Sequence, residues 1–103
     1  MIQWTEQAAQ QLYQAQEYIA LSSSEEVAAR VTIRIFSSIQ QLTAFLMSGR
    51  AGRVPGTREL VIPNKPFLAA YAVEKADIVV LAIYHGAQRW PKGFWSLRSP
   101  VAV

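Results

Sequence analysis

Cysteine is absent from the chain, histidine and aspartate occur once each, and no apolar run approaches membrane-spanning length. The first absence excludes disulfides, thiol catalysis and structural zinc held by thiolates. The last excludes the ordinary transmembrane helix, which needs roughly 18 or more consecutive apolar residues. No glycine-rich phosphate loop and no Ser-His-Asp set is present, the acids are scattered without the spacing of a catalytic carboxylate pair, and no cofactor or metal site is expected. The opening Met1-Ile2-Gln3-Trp4 has no basic segment leading into an apolar one, so it reads as a first strand rather than a secretion signal. The expected location is cytoplasmic, with no membrane partner.

What remains suits one small folded domain. The chain has 103 residues, 51% of them hydrophobic, which fits a globule with a modest core and argues against a disordered regulator. Its net charge of +3 is unevenly placed. Residues 1–48 hold Arg30 and Arg34 against Glu6, Glu17, Glu25 and Glu26, a balance of −2. Residues 49–103 hold eight cations against Glu59, Glu74 and Asp77, a balance of +5. The second half therefore suits an acidic partner segment or a polyanion, although an excess this mild is also common on plain solvated surface.

Thr5 is placed to cap a helix whose first turn holds Glu6, and Ala8, Leu12, Ala15 and Ile19 follow on one helical face. The helix stops in Leu21-Ser22-Ser23-Ser24. Ser23 with Glu26 three positions on reads as a capping box opening a second helix. Its apolar stripe is Val27, Val31, Ile35, Leu42 and Leu46, with Ala28 and Ile39 beside it, and so short a break predicts an antiparallel helical hairpin. Residues 48–56, with three glycines and a proline, read as a loop. Three strand-like runs follow, Thr57–Ile62, Phe67–Val73 and Ile78–Tyr84, with connections too short for a parallel crossover. The expected fold is α+β: an N-terminal strand, an αα-hairpin, then a three-stranded antiparallel meander forming one small curved sheet packed on the helices. The last two runs are apolar at both alternating positions. Two helices cover one face of a sheet, so either the sheet curls onto the hairpin and loop or its other face waits for a partner.

The stretch from Gly49-Arg50-Ala51-Gly52-Arg53-Val54-Pro55-Gly56 to Thr57-Arg58-Glu59-Leu60 looks like the linking loop and second strand of RelE/ParE toxins. The resemblance continues through Pro63, Pro66-Phe67, Tyr71 and Val73 to Ile83-Tyr84-His85-Gly86-Ala87-Gln88-Arg89-Trp90-Pro91, and covers about residues 1–91. No single piece is diagnostic, but loop, meander and His-to-Pro terminus together are fairly specific. The resemblance implies the toxin half of a bacterial type II toxin–antitoxin pair. Its partner would be an antitoxin encoded beside it, whose acidic or amphipathic tail wraps the toxin in a hetero-oligomer.

Members of that family act in two ways: RelE-like toxins cut mRNA in the ribosome, and ParE-like toxins poison DNA gyrase without a catalytic site of their own. Cleavage without metal needs a group to activate the 2′-hydroxyl, cations for the phosphorane charge, and an acid for the leaving oxygen. In the RelE-like pattern a basic residue commonly follows the aromatic that opens the third strand; here Phe67 is followed by Leu68, which cannot hold a phosphate. That departure favours the ParE-like reading.

If the chain is RelE-like, the catalytic candidates are His85, which titrates near neutral pH, and Arg89 four residues on. A lone histidine is more often structural. Arg50, Arg53, Arg58, Tyr84 and Trp90 are the candidates for target or antitoxin contact. Arg50 and Arg53, three apart among glycines, can grip a carboxylate or phosphate, though ordinary exposed loops share such residues. Arg58 and Glu59 project to opposite faces of their strand, and the plain reading of Arg58 is a surface ion pair. Trp90, beside Pro91, either stacks on a base or packs on the body. A non-toxic DNA-binding regulator fits less well, because no recognition helix carries the cations. Residues 92–103 form a C-terminal tail beyond the toxin-like domain of 1–91, with Phe94, Trp95 and Leu97 able to cover apolar strands.

Overall fold

The computed structural model describes residues 1–63 and 67–85, His85 through its backbone. In chain order the elements are β1 (Ile2–Trp4), α1 (Glu6–Ser22), α2 (Glu25–Gln40), a 3₁₀ turn (Gln41–Thr43), β2 (Arg50–Ala51), β3 (Arg58–Val61), β4 (Phe67–Glu74) and β5 (Asp77–His85). The strands make a single sheet in the order β1-β5-β4-β3-β2. The expected α+β meander is there: β3, β4 and β5 are antiparallel neighbours, and β1 lies parallel to β5, with Ile2 opposite Ile78.

Thr5 joins the first helix to the sheet. Its hydroxyl accepts from the Ala8 amide at 3.1 Å, capping α1, and donates to the Leu81 carbonyl at 3.1 Å. Its own amide donates to the Val80 carbonyl at 3.0 Å. β1 is paired with β5 only as far as Val80, so the rest of that β5 edge would expose backbone groups. The cap and a side chain of the first helix supply partners instead: Thr5 serves Leu81, and Gln11 Oε1 accepts from the Ile83 amide at 2.9 Å. Thr5→Val keeps the shape and orphans both the helix amide and the Leu81 carbonyl. We expect it to lose about 2–3 kcal/mol of unfolding free energy. A urea midpoint that falls at unchanged slope would show this, with Thr5→Ser losing far less.

Two helix boundaries differ from the sequence reading. Ser24, not Ser23, caps α2, its hydroxyl accepting from Val27 N at 3.1 Å, because the Ser23 amide is still bonded to the Ile19 carbonyl and closes α1. Helix α2 ends at Gln40, so Leu42 and Leu46 of the proposed stripe lie outside it. Residues three apart eclipse in a 3₁₀ turn, which lets Leu42 follow Ile39 into the core. The loop expected over residues 48–56 also contains a strand, β2, whose Arg50 pairs with Glu59 and Ala51 with Arg58.

The core between helices and sheet contains Ala8, Val31, Ile35, Ile39, Leu42, Ile62, Ala69, Tyr71, Ile78, Val80 and Ile83. Trp4 on β1 meets Phe36 on α2, ring centroids 5.4 Å apart. The other sheet face carries Leu68, Ala70, Ala72, Val79, Leu81, Ala82 and Tyr84, each 5% exposed or less, with Val54 packed against them. It is not an open apolar face. The continuous apolar run of β5 has a second cause: pairing jumps from Ala70–Ala82 to Tyr71–Val80, leaving Leu81 as the extra residue of a bulge. Leu81 and Ala82 both belong to the second face, so strict alternation is lost there.

Candidate functional site

The glycine-containing connection between α2 and β3 is fixed from both sides of the sheet. On the helix side Tyr71 is fully buried, and its hydroxyl accepts from the Gly49 amide at 2.9 Å and donates to the Leu46 carbonyl at 2.9 Å. Arg58 is the register partner of Tyr71 on the neighbouring strand. Its Nε donates to the Gly49 carbonyl at 2.9 Å and its Nη2 to the Met47 carbonyl at 3.0 Å. The expected surface ion pair of Arg58 is therefore replaced by a clamp on two main-chain oxygens. A side chain at Gly49 would place its Cβ 2.7 Å from the Tyr71 ring and 2.9 Å from the Glu59 carbonyl, so only glycine lets the chain pass this close.

On the other face Glu59 is 2% exposed. Arg50 donates to its Oε1 through Nε at 3.2 Å and Nη2 at 3.1 Å. Arg53 reaches its Oε2 through Nε at 3.6 Å, with the Arg53 guanidinium 6.0 Å from the Tyr84 ring centroid. The two arginine side chains are 58% and 49% exposed, so the cluster presents two guanidiniums to solvent and one carboxylate to the interior. Its formal charge is a net +1, with Arg50 hydrogen-bonded to the carboxylate and Arg53 held by the ion pair alone. The segment is held further by Thr57, whose amide and hydroxyl both donate to the Val54 carbonyl and whose carbonyl accepts from the Gly52 amide.

Of the residues proposed from sequence, Arg50, Arg53 and Tyr84 come together, and Arg58 is turned to the opposite face, as its position beside Glu59 predicts. His85 ends β5, and its side chain, with Arg89, Trp90 and the tail 92–103, lies outside the described residues. Two residues central to the site were not singled out as its organisers: Glu59 and Tyr71. The signal for Glu59 is in the sequence, since it is the one acid in residues 49–63 and follows three arginines, Arg50, Arg53 and Arg58. Among the described residues no group of His, Asp or Glu side chains is placed to hold a metal ion. None of their helices is long and apolar enough to cross a membrane.

Residues 2–90 match the family model for the ParE toxin of the type II toxin–antitoxin system parDE. The chain belongs to the ParE toxin family. A protein of Sinorhizobium fredii named "Putative toxin Y4kP" is 35% identical to this ParE toxin over 91 residues, 88% of this chain and 93% of that protein. Among solved structures, a chain from the chromosomal ParDE TA system of P. aeruginosa superposes with a TM-score of 0.75 at 28% identity. That likeness covers 82% of this chain and 92% of the other. Within the ParE toxin frame the connection carrying Gly49 to Thr57 and the strands carrying Glu59, Tyr71 and Tyr84 all fall inside the matched region.

Proposed function

We propose that this ParE toxin arrests growth by inhibiting DNA gyrase and is held inactive in a hetero-oligomer with an antitoxin encoded beside it. The antitoxin half rests on the family and on the likeness to a chain of a ParDE system. The gyrase half rests on the family and on one observation about the site. Its carboxylate, Glu59, is buried beneath two arginines, so a ribose hydroxyl does not reach it. A cluster of this kind grips a partner rather than cleaving one. Leu68, where a RelE-like nuclease commonly has a cation, is buried in the second face and supports the same reading. A cytoplasmic site of action follows from that target.

The test is a supercoiling assay with purified gyrase, ATP, relaxed plasmid and the purified chain. We expect loss of supercoiling and protein-linked broken DNA, both relieved by the antitoxin. No effect from a large excess of folded chain would refute gyrase as the target. Cleavage of ribosome-bound mRNA, abolished by His85→Ala or Arg89→Ala, would instead establish the nuclease mechanism.

A further inference from the structure

We infer that Arg50 and Arg53 form a preorganised carboxylate site that takes the acidic residues of an extended, amphipathic segment of the antitoxin, with Glu59 and Tyr84 as positioning residues. The inference rests on the antitoxin reading above and goes further in naming which cations are available and what they bind. A surface arginine ordinarily samples many rotamers and gives up that freedom on binding. Here part of that freedom is given up in advance, most of it at Arg50. Glu59, buried in the sheet face, accepts two hydrogen bonds from Arg50 and forms a longer ion pair with Arg53 at 3.6 Å, and the Arg53 guanidinium lies 6.0 Å from the Tyr84 ring centroid. The carboxylate consumes one of the two positive charges, and the outward N–H groups of both arginines remain for an incoming acid.

A peptide fits this position better than a nucleic acid. A phosphate backbone needs a track of cations, and the third arginine of the segment, Arg58, is on the opposite face and committed to the Gly49 and Met47 carbonyls. β2 is the outer strand of the sheet on this side. The connection leading into it carries two exposed apolar side chains, Phe45 and Met47, and the end of β3 carries exposed Val61. Exposed Val61 lies two positions from Glu59 on the same face of β3, so this sheet edge offers cations and an apolar group to a chain that carries both acidic and apolar residues.

The experiment is titration calorimetry of the full chain with the protein encoded beside it, at low and high salt. The decisive variant, Arg50→Gln/Arg53→Gln/Glu59→Gln, removes both cations together with the buried charge they neutralise. Affinity should fall on the order of a hundredfold and lose most of its salt dependence. Glu59→Gln alone leaves both cations in place, so it should weaken binding only several-fold and keep the salt dependence, as expected for a residue that positions rather than binds. Arg30→Gln/Arg34→Gln on α2 should match the unaltered chain. A folded triple variant that binds as tightly as the unaltered chain overturns the site. If the triple variant does not fold, Arg50→Lys/Arg53→Lys keeps both charges over Glu59 while losing the forked geometry. It should cost about tenfold, and unchanged affinity would be equally fatal to the site. Displacement of the bound partner by a single-stranded oligonucleotide from the unaltered chain but not from the lysine variant would reassign the arginines to phosphate and also overturn it. Failure of the unaltered chain to bind the neighbouring protein at all would instead remove the antitoxin reading itself, before any variant is compared.

Discussion

Tyr71→Phe should lower the unfolding free energy by about 2–3 kcal/mol, and Tyr71→Ala by about 4–6 kcal/mol. The phenylalanine variant keeps the buried ring and deletes one oxygen atom. That atom is both the acceptor of the Gly49 amide and the donor to the Leu46 carbonyl. Losing it leaves two main-chain groups without their partner in a place where the ring still blocks water. The alanine variant adds the loss of the largest fully buried side chain in the helix-side core. A domain of this size has only about 5–15 kcal/mol in total, so Tyr71→Ala should remove a large share of it and unfold at a much lower temperature than Tyr71→Phe. Urea denaturation gives the two values, and amide exchange at Gly49 gives the local one. A Tyr71→Phe midpoint unchanged within error, with Gly49 still protected, would mean the hydroxyl does not anchor the connection.

Arg50→Ala/Arg53→Ala should cost about 2–4 kcal/mol, with most of that recovered when Glu59→Gln is added. The arginines are half exposed and alone contribute little, as surface ion pairs do. Their weight comes from the partner: with both gone, a carboxylate that is 2% exposed is left charged without a cation. The two single variants should each cost less than half of the double, since the remaining arginine still neutralises the acid. Melting curves of the four combinations form the cycle. A Glu59→Gln that fails to rescue, or that adds a further loss, would show that Glu59 is held by something other than these two residues.

Much of this architecture could be read from the chain, and the exceptions share a physical cause. Thr5 announces its cap because capping depends on the next three residues alone. Ser23 misled because three serines in a row offer the same chemistry, and the choice of Ser24 depends on where the preceding helix releases its last amide. β2 has no periodic signal, since a two-residue strand is defined by the Glu59 and Arg58 it meets rather than by its own propensity. The bulge at Leu81 is similar: Ile78 to Ile83 are all apolar, and a shift of facing among apolar residues leaves no trace in the pattern. At the site, the spacing of Arg50 and Arg53 was visible. Their shared anchor was not, because Glu59 joins them only after β2 has folded back on β3.

The parallel pairing of β1 with β5 also sets an order of events during synthesis. Ile2 is the partner of Ile78, and Thr5 bonds to carbonyls at Val80 and Leu81. The first strand thus waits for nearly all of the domain to be made before its place exists. The helical hairpin closes from neighbours in sequence and can form early, at the speed of local contacts. At ribosomal rates of roughly 5–20 residues per second, several seconds separate the appearance of β1 from that of its partner. During that interval the nascent chain holds helices without a finished sheet, and β2 with its partner strand β3 is made before the strand β5 that β1 needs.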